Sequence, residues 1–152
     1  MLLKQIVENN HYLFVDEFES WEDSIYGAAK PFLDDGTVEK VYLDKVIENV
    51  KEFGPYFVLM PDVAMPHSTL GGEGVNKTAI CFCKCKKPVV FDPNDETKNA
   101  RLFFTLAAVD NDKHLQNMMM LSEMLMKDGI IEDLLLAETK EDLLDIVSKY
   151  SE

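Results

Sequence analysis

Two segments of the chain, residues 78–85 and 101–109, are apolar on both faces when read as extended strands. Strands with two apolar faces are buried on both sides, so these segments are predicted to be central strands of a sheet. Residues 11–18 and the short apolar run 56–60 predict two further strands. Helical spacing of apolar residues before and after the central strands predicts covering helices. We therefore predict an α/β fold with a mixed central β-sheet flanked by helices on both faces, in a single domain that spans residues 1–152.

The predicted helices begin at residue types that commonly cap helix N-termini. Ser20 is predicted to cap a helix that Pro31 kinks, and Thr37 to cap a second helix that ends at residues 54–55. Further segments with helical signals are residues 113–127, the short helix or turn 130–136, and a last helix that starts with the capping-box pair Thr139 and Asp142.

The composition favours one core and argues against two classes of partner. The 152 residues, 47% of them hydrophobic, suffice for a core that buries roughly two-thirds of the unfolded surface. Fifteen basic and 28 acidic residues give a formal net charge of −13, which repels nucleic-acid backbones and anionic lipid surfaces. We therefore expect no nucleic-acid partner and no direct membrane insertion.

The sequence also predicts where the protein works. No apolar run approaches the roughly 18 residues of a membrane span, and the N-terminal residues lack a signal-peptide pattern. Cys81, Cys83 and Cys85 are an odd number within five residues, which does not fit a disulfide framework. We expect a cytoplasmic protein. On a strand these thiols would lie about 6.6 Å apart on one face, unlike zinc ligands, so we expect buried small hydrophobes, no metal and no cofactor.

Two histidines are the candidates for chemistry. Pro66 stiffens the backbone that enters His67, and a glycine-rich stretch follows. A neutral imidazole is a good nucleophile near neutral pH, although this segment is also typical of a simple surface turn. His114 lies at the start of a predicted helix after a buried strand, where backbone N–H groups favour an anion; the alternative is a surface histidine. Together the two histidines predict an anion site.

Four segments occur in order along the chain and match a known pattern together. They are Gly54-x-Tyr56, Pro61-x-Val63-Ala64-Met65-Pro66-His67, Leu106-Ala107-Ala108-Val109-Asp110 and His114-Leu115. The chain thereby resembles the EIIA domain of the mannitol/fructose class of the bacterial phosphotransferase system, closest to its ascorbate-type branch. The resemblance runs over nearly the whole chain.

The resemblance implies a phosphocarrier. In this family the histidine after the proline accepts a phosphoryl group from the phosphohistidine protein HPr and passes it to the EIIB component of a sugar permease. The matching residue here, His67, is the predicted acceptor, and His114 is predicted to stabilise the phosphoryl group. Ser68 and Thr69 are predicted to donate hydrogen bonds to phosphoryl oxygens, with turn capping as the alternative for either.

One family feature is missing from the sequence. Mannitol-type members have an arginine before the Pro-His segment, whereas the only arginine here is Arg101. Lys51, the nearest cation in sequence, is predicted to substitute for it in binding the phosphoryl group. The alternative is a solvated helix-face lysine, and a lysine is in any case a point charge without the planar fork of arginine.

Two other functions remain open from the sequence. One is an EIIA-like regulatory module whose His67 phosphorylation state controls binding to a protein partner; neighbouring genes for EIIB and EIIC would favour the carrier instead. The other is a metal-binding protein that uses the histidines and cysteines. The sequence leaves open which sugar is transported and whether the chain forms a homo-oligomer.

Overall fold

Four strands and seven α-helices make up the described part of the chain, residues 1–68 and 72–151 of a computed structural model. The strands are β1 (Tyr12–Val15), β2 (Asp62–Ala64), β3 (Ala79–Val89) and β4 (Ala100–Ala107). The helices are α1 (Leu2–Glu8), α2 (Trp21–Ala28), α3 (Lys30–Asp34), α4 (Lys40–Phe53), α5 (Asn111–Leu125), α6 (Ile130–Leu136) and α7 (Lys140–Tyr150). A 3₁₀ turn occupies Glu96–Lys98 in the predicted polar segment between β3 and β4.

The strands form one mixed sheet in the order β1-β3-β4-β2. The central pair, β3 and β4, is antiparallel, and each edge strand runs parallel to its neighbour. The carboxyl ends of β2 and β4 therefore lie at the same edge of the sheet. This edge is extended past the strands, because the Leu106 N–H donates to the Pro66 carbonyl at 2.9 Å. The Pro66-His67 segment and the chain that follows β4 consequently lie side by side.

Two apolar cores cover the two faces of the sheet. One contains residues of α2, α3 and α4 together with Cys81, Cys83 and Cys85, and the other contains residues of α1, α5, α6 and α7 together with Phe82 and Phe104. The predicted mixed sheet with helices on both faces is confirmed. The three thiols are free and buried, as predicted. Within the described ranges, no helix is both long and apolar enough to cross a membrane.

Helices whose N-termini carry a strong local capping signal begin where the sequence predicts. The Asp23 N–H donates to the Ser20 hydroxyl at the start of α2. Thr139 and Asp142 form a complete capping box at the start of α7. At the predicted Pro31 kink the helix breaks outright: α2 ends at Ala28, and Pro31 lies in the first turn of α3, where its missing N–H is tolerated.

Two local predictions are wrong. Thr37 does not cap α4, because the chain after it stays extended, with Val38 bridged to Val75, and α4 begins three residues later. The Thr37 N–H and hydroxyl donate to Asp35 instead, at 2.9 and 2.6 Å. Residues 56–60 are not a strand of the sheet; the paired strand is β2 (Asp62–Ala64). The side chain of Phe57 is instead buried in the core. Helix α1 was not predicted, since it has no side-chain cap and is held by packing.

Candidate functional site

The backbone that leads into His67 is hydrogen-bonded to two neighbouring segments of the chain. The Met65 N–H donates to the Phe57 carbonyl at 3.1 Å, and the next residue, Pro66, accepts from β4 as described above. The His67 ring nitrogen Nδ1 lies 2.6 Å from the Met65 carbonyl. A carbonyl can only accept, so Nδ1 carries the hydrogen and the neutral ring keeps its lone pair on Nε2. His67 is therefore oriented by its own chain, with Nε2 as its nucleophilic atom.

His114 lies directly beside His67. Helix α5 starts at Asn111, and the Asp110 carboxylate caps it by accepting from the Lys113 N–H at 2.8 Å. His114 is the residue after Lys113 near the start of α5. Its ring centroid lies 5.2 Å from that of His67. The start of α5 is held to β4 as well, because Asn117 is buried and donates to the Ala107 carbonyl at 3.0 Å.

Two tyrosines support the segment that carries His67. The Tyr56 ring meets the His67 ring edge to face at a centroid distance of 5.4 Å, and its hydroxyl donates to the His67 carbonyl. The buried Tyr42 hydroxyl donates to the Leu106 carbonyl at 2.6 Å and accepts from the Ser68 N–H at 3.2 Å. Burial raises the pKa of Tyr42 to about 12, so this hydroxyl stays a donor at neutral pH.

The two histidines open into a cleft of about 190 Å³. Its described lining is formed by Tyr42, His67, Ser68, Gly72, Ala108, Asp110, Asn111 and His114. Burial lowers the pKa of His67, and the neighbouring His114 lowers it further, against the opposing effect of the Met65 hydrogen bond. The imidazole is thus neutral and nucleophilic at neutral pH.

The chain after the glycine-rich stretch is attached to α4. Gly74 adopts a positive φ of 85° and accepts from the Glu39 N–H at 2.7 Å, in a space where a Cβ would meet Val41 at 2.7 Å. Glu73 pairs with Lys45 of α4 at 2.9 Å. Gly72 packs against the chain that follows β4, since a Cβ there would lie 3.0 Å from the Ala108 carbonyl. This segment closes one side of the cleft.

The structure brings three of the five predicted site residues together. His67, His114 and Ser68 line the same cleft. Thr69 lies outside the described residues. Lys51 is exposed in the last turn of α4 and is absent from the described lining of the cleft. Its predicted role stays a prediction.

Four residues near the site were missed by the sequence reasoning. Tyr42, Lys45 and Asn49 recur at helical spacing on α4, and Tyr56 precedes the Pro-His segment. The hydroxyl of Ser68 lies 3.4 Å from the side-chain oxygen of buried Asn49. The sequence offers only a weak signal for them, a tyrosine on the apolar stripe of α4, because the burial of Asn49 is known only from the structure. In residues 1–68 and 72–151, no group of three or more His, Cys, Asp or Glu side chains is placed to hold a metal ion.

A neutral ring nitrogen beside a second histidine and a helix N-terminus makes a site suited to receiving an anionic group. Comparison with known proteins identifies the class further. The chain belongs to the family described as phosphoenolpyruvate-dependent sugar phosphotransferase system, EIIA 2, whose family model matches residues 5–150.

Individual relatives agree with this family over almost their full lengths. The ascorbate-specific PTS system EIIA component of Escherichia coli (strain K12) is 28% identical over 149 residues, which cover 97% of this chain and 96% of that protein. The solution structure of the mannitol-specific cryptic phosphotransferase enzyme IIA of Escherichia coli is 30% identical, with a TM-score of 0.83, and covers 98% of this chain and 99% of its own. A complex of enzyme IIAMTL and phosphorylated enzyme IIBMTL from Escherichia coli shares the fold, with a TM-score of 0.68, 24% identity and coverage of 90% and 99%.

Proposed function

We propose that this protein is a phosphohistidine carrier that accepts a phosphoryl group from HPr on Nε2 of His67 and passes it to an EIIB component for coupled sugar uptake. The observation that carries this proposal is the hydrogen bond from Nδ1 of His67 to the Met65 carbonyl. It leaves Nε2 as the ring atom with the free lone pair, in the cleft shared with His114. Burial keeps the ring neutral, which is the protonation state a nucleophile needs.

The transfer step is a simple exchange of bonds. The Nε2 lone pair forms a bond to phosphorus while the bond from phosphorus to the HPr imidazole breaks, and its electron pair returns to that imidazole. Such a reaction asks the protein mainly for positioning and for donors to the phosphoryl oxygens. The first-turn N–H groups of α5, the ring of His114 and the Ser68 hydroxyl are the donors proposed here. The Tyr56 and Tyr42 hydroxyls hold the acceptor segment in place.

We propose Lys45 as the cation that supports the phosphoryl group, ahead of Lys51. On a helix with 3.6 residues per turn, Lys45 lies about 40° around the axis from Asn49, whereas Lys51 lies about 200° from it. Asn49 faces the site, because its side chain meets Ser68. Lys45 is paired with Glu73 next to the cleft-lining Gly72. Exchange of Lys45 for glutamine is therefore expected to slow phosphorylation of His67, and the same exchange at Lys51 to leave it unchanged.

An EIIB component is the proposed acceptor of the phosphoryl group. The complex of IIAMTL with phosphorylated IIBMTL supports this assignment, because that EIIA has the same fold. We propose that the exchange takes place in the cytoplasm, since free buried thiols suit a reducing compartment. In this role the chain is a phosphotransferase component in its own right.

The test is the intact mass of the protein after incubation with phosphoenolpyruvate, enzyme I and HPr. One acid-labile phosphate is expected on the wild type, none on His67→Ala, and a slowly formed or unstable one on His114→Ala. His11→Gln is the matched control, because His11 is the third histidine, pairs with Asp35 at 2.7 Å and is absent from the described lining of the cleft. Absence of phosphate on the wild type, with HPr active on a known acceptor, would refute the proposal.

A further inference from the structure

One lysine lies inside the protein, away from the histidines. Lys84 is on the central strand β3, directly between Phe14 of β1 and Leu102 of β4. Side chains alternate along a strand, so Lys84 shares the face of Phe82 and points to the core beneath α6 and α7. Only 3% of the residue is exposed. Lysine is almost never buried to this extent unless it is paired.

The Lys84 ammonium has no partner among the described residues. It makes no hydrogen bond, and it makes no ion pair within 4.0 Å in residues 1–68 and 72–151. The two nearest carboxylates are engaged elsewhere: Asp142 accepts from two backbone N–H groups at the start of α7, and Glu138 pairs with Lys86 at 3.9 Å. The positive charge of Lys84 is therefore uncompensated at short range.

The side chain of Lys84 nevertheless borders a cleft of about 190 Å³. Phe14, which shares the sheet face of Lys84, forms the apolar wall of this cleft, and its polar rim is Asp16, Lys86 and Glu138. Lys84 is thus a buried side chain at the wall of a surface cleft.

Burial lowers the pKa of Lys84, and the positive charges of Arg101 and Lys86 act in the same direction, against Glu138 and Asp142. A larger uncharged fraction makes a lysine amine a better nucleophile at neutral pH. Acylation also removes the charge permanently, so the product no longer carries the desolvation penalty that the ammonium does. Reactivity and product stability thus favour the same modification.

We propose that Lys84 is a site of covalent acylation by small acyl phosphates. The Lys84 nitrogen forms a bond to the acyl carbon, and the bond from that carbon to the phosphate oxygen breaks. The phosphate leaves with the electron pair, and the proton lost from nitrogen goes to it. Phe14 contacts the acyl group, and Lys86 at the rim faces the departing phosphate. The site lies toward the end of the sheet opposite the paired histidines, so it is separate from the phosphoryl carrier site.

The experiment uses acetyl phosphate in limiting amount on the intact folded protein, with the occupancy of each lysine followed by peptide mass spectrometry. Lys86 is the internal control, because it lies two residues along the same strand face with 58% of its side chain exposed. At pH 7 Lys84 is expected to be acetylated several-fold faster than Lys86. The ratio of the two acetylation rates is expected to fall toward one as the pH rises, because Lys86 then also loses its proton. In the unfolded chain the two rates are expected to be equal.

A rate at Lys84 no greater than that at Lys86, or a preference that survives unfolding, would overturn the proposal. The variant Lys86→Gln tests the contribution of the rim charge, with exposed Lys87 as the comparison: an acetylation rate at Lys84 that stays above that at Lys87 assigns the preference to the buried amine, and a rate no greater than that at Lys87 would overturn the proposal. Lys84→Arg keeps the charge without the nucleophile and is expected to abolish acetylation at this position. Neither change touches the residues that line the histidine cleft, so both variants should accept phosphate on His67 at the wild-type rate.

Discussion

The hydroxyl of Tyr42 provides a sharp test of how α4 supports the phosphoryl-acceptor segment. It is buried, donates to the Leu106 carbonyl at 2.6 Å and accepts from the Ser68 N–H at 3.2 Å. Tyr42→Phe removes this one oxygen and preserves the packed ring. A buried polar group that loses its partner costs about 1–3 kcal/mol. For a chain of this length, each kcal/mol lowers the melting temperature by about 2–4 °C.

The same change should affect transfer. Ser68 follows His67 directly, so its release allows the acceptor ring to shift, and a misplacement of about 1 Å can slow a reaction roughly 100-fold. We expect Tyr42→Phe to be phosphorylated from HPr roughly 10- to 100-fold more slowly at a temperature where it is fully folded. Thermal unfolding and a quenched-flow phosphorylation time course measure the two effects separately.

Tyr26→Phe is the matched control for Tyr42→Phe. The Tyr26 hydroxyl donates to Asp44 between α2 and α4, and this half-exposed pair is away from the cleft. Loss of this hydrogen bond should change the free energy of unfolding by less than about 1 kcal/mol and leave the rate of phosphorylation unchanged. If Tyr42→Phe is as stable and as fast as the wild type, the positioning role of Tyr42 is wrong. Lower stability with an unchanged rate would leave only a packing role.

Three further predictions follow from local contacts. Asp110→Ala and Thr139→Ala each remove a helix N-cap and should each destabilise the protein by about 1 kcal/mol in denaturant unfolding. Only Asp110→Ala should also slow phosphorylation, because Asp110 caps the helix that carries His114. Burial lowers the pKa of His67, so below pH about 6.5 the unfolded chain binds more protons than the folded chain. The free energy of unfolding of the wild type should therefore fall there relative to that of His67→Gln, and equal pH profiles of the two proteins would contradict this. The three cysteines are buried with raised pKa values, so a thiol reagent should label none of them in the native protein and all three after denaturation.

The sequence predicts those parts of the fold that depend on short-range chemistry. Ser20 and the Thr139–Asp142 pair act within one helical turn, and both caps are confirmed. Thr37 fails as a cap because the chain after it bridges to a distant segment at Val75, so α4 begins only at Lys40. Residues 56–60 fail as a strand because apolar side chains can be buried outside a sheet: Phe57 is buried and accepts one backbone hydrogen bond, from Met65, without joining the sheet. Tertiary packing decides both cases.

The candidate site also has features that the sequence predicts and features that it does not. The proximity of His67 and His114 is implied by the family resemblance, and in the structure their ring centroids lie 5.2 Å apart. The ring nitrogen of His67 that keeps its lone pair could not be predicted, since it depends on a carbonyl two residues earlier that the fold turns toward the ring. Tyr42 lies 26 residues from the Ser68 N–H that it binds, so no local pattern connects them. The same applies to the ion pair of Lys45 with Glu73.

The most direct test of the central claim is the position of the phosphoryl group on the ring. The protein would be phosphorylated from phosphoenolpyruvate through enzyme I and HPr, and the imidazole nitrogens of His67 observed by long-range proton–nitrogen NMR. The structure predicts phosphate on Nε2, with Nδ1 still protonated against the Met65 carbonyl. Phosphate on Nδ1 of His67, or on another residue, would contradict this account of the site.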